Sequence, residues 1–201
     1  LTFDDGYLSN HQRLFPLLDG LGMKAAIFPI GVHVGRTEYK DTLSSITPHF
    51  SYAQGAEMVR SGTVELGSHT YDMHRYAPLE PEGQARDGVL PLPGEGRLRY
   101  CQRLESDFRL SARMLERYAG ASPIALAYPQ GLHTPESEGA RKQAGYLISL
   151  TVEPEVSVLR PGGAESLSLL GRFAVDDIPA DRLLETIEKG LEKAEGVTPG
   201  P

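Results

Sequence analysis

The sequence predicts an α/β fold, either a parallel sheet or a (β/α) barrel, carried by one domain of 201 residues. Three observations support this. Short β-prone runs alternate with amphipathic helical stretches along most of the chain. Met23–Ile30 is nearly continuous apolar sequence bounded by Gly31, the pattern of a strand buried on both faces. Three predicted strands end in polar groups: Asp4-Asp5, His69 through His74, and Tyr128-Pro129-Gln130-Gly131. Parallel α/β barrels gather their chemistry at such strand ends.

The elements follow in order. Leu1-Thr2-Phe3 is a strand stopped by the turn formers Asp4-Asp5-Gly6. Ser9 or Asn10 can cap a helix whose apolar stripe is Leu14, Leu17, Leu18 and Leu21, with Gly22 ending it. After the Met23–Ile30 strand, Ser51 and Gln54 fit a capping box for a helix holding Ala56, Met58 and Val59. Val64–Leu66 is a short strand leading into Gly67-Ser68-His69. Residues 77–97 turn to Pro, Gly and charge, a surface insertion. A long amphipathic helix spans about Leu98–Tyr118, with Leu104, Phe108 and Leu115 in its stripe. Ile124–Ala127 is a strand, and Thr134-Pro135-Glu136 starts a helix with Pro at its first position. Tyr146–Leu150 and Leu167–Val175 are predicted strands, and Pro179–Ala194 is a final amphipathic helix.

Composition excludes several classes. Twenty Lys and Arg stand against 27 Asp and Glu, a formal charge of −7, with no basic block for nucleic acid. No apolar run reaches the roughly 18 residues of a membrane span, and no signal peptide is visible. The single Cys101 excludes an internal disulfide or a Cys-rich zinc module. With no Trp, any aromatic stacking surface falls to Tyr or Phe, and Tyr71, Tyr76 and Tyr128 stand nearest the polar clusters. The chain opens at Leu1, without Met, inside a predicted strand, so an N-terminal part is expected to precede it.

Adjacent Asp4 and Asp5 diverge at a strand end, so one can face a metal and the other a substrate; a turn or helix-capping pair is the plainer reading. His69 and His74 are five apart, which on a helix separates them by roughly 140° at about 100° per residue. They converge on one ion only from a loop. Two imidazoles and a carboxylate make a three-ligand site with open positions, suited to zinc but also to cobalt, nickel or iron. The other reading is a pair of surface histidines. Asp72 reads as a loop-stabilising acceptor. His11, His33 and His49 read as solvated or structural, and His133 is held in reserve beside the third cluster.

Leu1-Thr2-Phe3-Asp4-Asp5-Gly6, Ser68-His69-Thr70-Tyr71-Asp72-Met73-His74 and Tyr128-Pro129-Gln130-Gly131 resemble, in order, the first three motifs of the polysaccharide deacetylases. These are the NodB-homology proteins, the fourth family of carbohydrate esterases. The five-residue histidine spacing is similar to the branch acting on the biofilm polymer poly-β-1,6-N-acetylglucosamine. The resemblance implies a distorted, circularly permuted (β/α) barrel. It implies that Asp5, His69 and His74 hold a divalent metal, zinc first, and that Asp4 is the general base for water. The Gln130 backbone N–H would hold the oxyanion, and Tyr71, Tyr128 and Pro129 would line the substrate site. Many members start the third motif with Arg; here Ala127 stands there, and Arg172 is the candidate substitute. The family's C-terminal catalytic-acid His has no counterpart after His133, so the acid is His133 or lies in a part preceding Leu1.

The expected function is removal of N-acetyl groups from an extracellular N-acetylglucosamine polymer by a bacterial secreted or surface protein, with peripheral membrane association compatible. Peptidoglycan, chitin or xylan are alternative substrates. A non-catalytic carbohydrate-binding relative is the alternative of another class, and a purely structural zinc site is the third reading.

Overall fold

The computed structural model describes residues 1–75, 77–80, 88–175 and 179–195. Tyr76 and the middle of the insertion, 81–87, lie outside them. Among the described residues, five short strands are all parallel: β1 (Thr2–Asp5), β2 (Ala25–Pro29), β3 (Val64–Leu66), β4 (Ala125–Ala127) and β5 (Ile148–Leu150). β1-β2-β3 form one ladder and β4-β5 another. Among the described residues, a single parallel bridge, Ser68 to Leu126, joins the two ladders. A second bridge, Leu150 to Leu170, adds one more extended residue beyond β5. Each strand therefore lies beside its predecessor in the chain. That sequential order builds an arc that keeps turning one way, unlike an open sheet wound in both directions. Among the described residues, no ladder joins the Leu170 segment back to β1.

Register divides the side chains. Phe3, Ile27 and Leu66 stand side by side on the face covered by helices, packed with Phe50, Met58, Leu115 and Ala119. The opposite, concave face carries Phe28, Ala127 and Leu150, flanked by Ala26, Ala125, Ile148 and Leu170. Asp4 pairs with Phe28 in the register and so shares the concave face. Gly67 on that face has no room for a Cβ, which would come within 2.3 Å of the Phe28 ring.

The helices are α1 (Phe15–Leu21), α2 (Tyr52–Arg60), α3 (Arg97–Ala119), α4 (Pro135–Gln143) and α5 (Ala180–Glu195). The expected capping boxes form at α2, between Ser51 and Gln54, and α4 opens with a reciprocal Thr134–Ser137 pair. α3 buries Leu104, Phe108 and Leu115 as its periodicity implies, and Gly120 closes it in the left-handed conformation.

Four expectations are corrected. The first strand continues through Asp4 and Asp5, because pairing with Phe28 and Pro29 outweighs their turn preference. The first helix is not capped by Ser9; it begins as a wide π-type turn, Asn10–Leu14, in which the Phe15 N–H reaches back to the Asn10 carbonyl. Pro16 lacks an N–H and so leaves the ladder to reset there. Leu17 and Leu21 face solvent, and only Leu18 of that stripe is buried. The Leu167–Val175 strand shrinks to Leu170, since a short helical turn covers Ala164–Leu167 and Leu169 is left-handed at φ 58°. The insertion is not wholly superficial either, because Val89 is fully buried in the core and its carbonyl accepts from the Tyr100 hydroxyl.

Candidate metal centre

The ends of β1 and β3 meet at one cluster, β4 joins them through the Ala127 carbonyl, and each strand is followed or ended by a strained residue. Asp5 after β1, Thr70 after β3 and Gln130 after β4 all have positive φ, at 68°, 68° and 56°. Each costs a side-chain-bearing residue of order 1 kcal/mol or more. Strict alternation would send Asp5 to the helix-covered face, away from Asp4. From its left-handed backbone, the Asp5 carboxylate instead meets both histidines.

Its Oδ1 lies 3.5 Å from His69 Nε2 and 3.7 Å from His74 Nε2. The three ligand atoms fall within 4.8 Å of one another. Tetrahedral bonds of about 2.1 Å put ligand atoms about 3.4 Å apart, so this donor set fits a divalent cation. Direct hydrogen bonds would be shorter. His69 is fully enclosed, and its Nδ1–H donates to the Ala127 carbonyl at 2.8 Å, which leaves Nε2 as the lone-pair nitrogen. Burial holds its pKa below the ordinary imidazole value against the pull of Asp4 and Asp5, so it stands neutral, as a ligand must.

Asp4 has a different partner. Arg172 grips it with two parallel bonds, Nη1 to Oδ1 at 2.7 Å and Nη2 to Oδ2 at 2.8 Å. Arg172 is itself aimed by its Nε–H, which donates to the Thr151 carbonyl at 2.7 Å. Burial alone would raise the Asp4 pKa. The Arg172 fork brings it below the usual carboxylate value. Asp4 is thus a standing carboxylate beside a three-ligand cluster.

The remaining sequence candidates separate. Gln130 sits in its left-handed turn with its side chain exposed, so only its backbone is committed to the strand end. Tyr71 is half-buried, and its backbone carbonyl accepts from Val32 N–H at 2.8 Å. Tyr128 is completely buried with its hydroxyl on Glu138 at 2.8 Å, and Pro129 is buried too, so neither presents a face on which a sugar could stack. His133 is exposed and bonded through Nδ1 to the Gly131 carbonyl at 3.1 Å. No described hydrogen bond or ion pair joins it to Asp4, Asp5, His69 or His74. His33 and His49 are not solvated; they are buried against each other and against Tyr39 and Tyr7, and burial pushes His33 down to about 4. Asp72 is paired with Lys40 at 2.8 Å and stays out of the cluster, as its sequence reading had it.

One supporting residue escaped the sequence reading. Asp107 on α3 accepts from the backbone N–H groups of Tyr71 and Asp72, at 2.8 Å each, and so props the histidine loop. Burial pushes its carboxyl up to about 6, although the two amides pull the other way. Its signal was present: an acid placed between Leu104, Phe108 and Ser111 interrupts the buried stripe of α3.

Comparison with known proteins agrees with this geometry. The family model described as polysaccharide deacetylase matches residues 1–149, which include Asp4, Asp5, His69, His74 and Gln130 but stop short of Arg172. The Bacillus subtilis protein YxkH is 28% identical over 154 residues, 77% of this chain and 44% of that protein. The poly-beta-1,6-N-acetyl-D-glucosamine N-deacetylase of Escherichia coli K12 is 27% identical over 169 residues, 76% of this chain and 25% of the other. The chain therefore spans less than half the length of either relative. Among solved structures, the BpsB deacetylase domain of Bordetella bronchiseptica superposes with a TM-score of 0.67 at 27% identity, covering 85% of this chain and 70% of that one. IcaB of Ammonifex degensii gives 0.69 at 28% identity, covering 88% and 66%. A left-handed Asp5 turned toward two histidines, an ionised Asp4 beside it and a match over three-quarters of the sequence lead to one conclusion: the chain belongs to the polysaccharide deacetylase family.

Proposed function

We propose that this chain carries the catalytic centre of a metal-dependent hydrolase that removes N-acetyl groups from a β-linked N-acetylglucosamine polymer, poly-β-1,6-N-acetylglucosamine first. The observation that carries the reading is the pairing of an open Asp5–His69–His74 cluster with a separate carboxylate, Asp4, held ionised by Arg172. The metal would be zinc, with cobalt, nickel or iron as the alternatives the donor set admits. When bound, a divalent cation there supplies Lewis acidity, polarising an amide carbonyl and making a nearby water easier to deprotonate.

The protein's own groups divide the remaining work. Asp4 accepts the proton of the attacking water at its carboxylate. Arg172 fixes the orientation of that carboxylate and keeps it charged. The backbone N–H of Gln130 donates to the oxygen on which negative charge develops, a task that leaves its side chain free to vary. Water adds across the amide: a C–O bond forms, the C–N bond breaks and acetate leaves, while both protons of the water, the one taken up by Asp4 included, end on the sugar nitrogen as its ammonium. The name of the E. coli relative supports the β-1,6 polymer, and a polymer substrate implies an extracellular or cell-surface site of action. Among the described residues, no helix is long and apolar enough to cross a membrane. The sequential strand order and the reach of Arg172 back to β1 support a distorted barrel, and the resemblance supports circular permutation.

Acetate release from N-acetylglucosamine oligomers of β-1,6 and β-1,4 linkage, peptidoglycan and acetylated xylan tests this reading. The metal-loaded protein should release acetate fastest from the β-1,6 oligomers, and Asp4→Asn should abolish it. Tight glycan binding without turnover would put the non-catalytic reading in its place.

A further inference from the structure

The two histidines of the candidate metal centre are held in unlike ways. His69 is enclosed and locked by its bond to Ala127. His74 is about one-third exposed, and among the described residues its ring has no hydrogen bond of its own. A ligating histidine normally has such a partner to fix ring orientation. The loop before it is pinned as far as Met73: Tyr71 and Asp72 by Asp107, and the Met73 N–H by Thr70 Oγ1 at 3.1 Å. What holds the chain on either side of His74 is charge.

Asp72 and Arg75 flank His74, and both join a compact quartet with Lys40 and Glu80. Lys40 Nζ is 2.8 Å from Asp72 and also bonded to Glu80. Arg75 reaches Asp72 at 3.3 Å and Glu80 at 3.6 Å. Glu80, whose side chain is 4% exposed, additionally accepts from the Tyr39 hydroxyl. Two cations alternate with two anions, so each charge is compensated from two sides. Lys40 comes from a separate excursion, fastened by a Glu38–Ser45 bridge and by Ile46 N–H donating to Thr37. Its backbone is left-handed at φ 48°, a strained conformation for lysine that delivers the ammonium to this place.

We infer that Lys40 is a positioning residue for His74: it acts through Asp72 and Glu80 to set the angle at which the exposed imidazole meets its ion, an inference that rests on the metal-site reading above. Without the ammonium, Asp72 and Glu80 become neighbouring carboxylates with Arg75 alone between them. Their repulsion opens the turn that carries His74, while His69 and Asp5, held by other elements, stay in place.

The test is metal binding, followed by competition with a chromophoric chelator and by the visible spectrum of the cobalt-loaded protein. Lys40→Met should weaken metal affinity about 10- to 100-fold, the range for removing support from a ligating histidine. It should also change the cobalt bands. Lys40→Arg should restore most of both, and Lys189→Met, on α5 and paired with Glu185, should change neither. Glu80→Gln, which keeps shape and loses charge, gives the same sign with a smaller loss if Lys40→Met does not fold. A Lys40→Met protein that binds as tightly as wild type, with the same cobalt spectrum, overturns the inference even if its melting temperature falls. A wild-type protein that binds no metal overturns the site reading, and this inference with it.

Discussion

Replacing Arg172 separates orienting the base from holding the metal. The fork makes two charge-assisted bonds to Asp4, at 2.7 and 2.8 Å, between side chains only 14% and 28% exposed. Arg172→Lys keeps the charge but loses the fork. Losing one such bond costs about 1.5–3 kcal/mol, which corresponds to about 10- to 100-fold in kcat/KM if it is spent in the transition state. Arg172→Met removes both bonds and the charge. Burial then acts on Asp4 without the fork to oppose it, so its pKa rises and the acidic limb of the pH–rate profile moves to higher pH. The expected loss at neutral pH is about 10²–10⁴-fold, the usual contribution of a general base. Metal affinity should be preserved, because none of Asp5, His69 and His74 touches Arg172 in a described hydrogen bond or ion pair. The assay is acetate release by wild type, Arg172→Lys, Arg172→Met, Asp4→Asn and the Asp4→Asn/Arg172→Met pair. If the two residues form one unit, the pair should be no slower than Asp4→Asn alone. Wild-type kcat/KM in Arg172→Met, or losses that simply multiply, would refute the reasoning.

Other perturbations probe the frame around the site. Asp107→Ala strands the amides of Tyr71 and Asp72 and should cost about 1–3 kcal/mol in a urea unfolding midpoint, with weaker metal binding in the same protein. Gly67→Ala places a methyl within 2.3 Å of the Phe28 ring and 2.9 Å of the Ala125 carbonyl, and should destabilise by about 1–3 kcal/mol or prevent folding. Although burial opposes it, Arg141 together with hydrogen bonds holds the Glu138 pKa below its ordinary 4.5. That contribution is present above the unfolded pKa and fades as pH falls through the folded one. Glu138→Gln should therefore lose stability near neutrality and show a flatter thermal-stability curve below about pH 4.5. Stripping the metal with a chelator should lower the melting temperature of wild type by the equivalent of about 2.7 kcal/mol for an ion present at 100 times its Kd, with little change in Asp5→Ala.

Much of this was legible in the chain because it depends on local chemistry. The capping signal of Ser51 and Gln54, the periodicity of Leu104, Phe108 and Leu115, and the apolar run of β2 all act within a few residues. The Asp4-Asp5 pair and the His69–His74 pair could be named as metal candidates from two strand ends, because a parallel arrangement brings such ends together, and the resemblance singled out Asp5. What stayed hidden was decided at long range. Tyr128 is an aromatic beside a motif, and only packing against α4 turns it into core. Nothing near Lys40 announces Asp72 or Glu80, and nothing near Asp107 announces the loop it props. Arg172 was offered by the resemblance as the substitute for a motif arginine, yet the strand predicted around it is one bridging residue wide, since the left-handed Leu169 breaks the run. The position of a side chain was thus readable where the secondary structure around it was not.

The pairing of Arg172 with Asp4 also has a consequence in time. Asp5, His69 and His74 all belong to the first 74 residues, whereas the two members of the fork are 168 positions apart. Chain entropy makes the longer closure only about 0.8 kcal/mol costlier than joining Asp5 to His74, so the separation matters through order of appearance. On the proposed reading, a chain emerging N-terminus first has its ion-binding residues and the groups that support them, Asp107 and Ala127, about 45 residues before its base is aimed. Any chain clipped between β5 and Arg172 would keep the means to sequester metal and lose the means to use it. Under the proposed function, the arginine that arrives last is the one that aims the base.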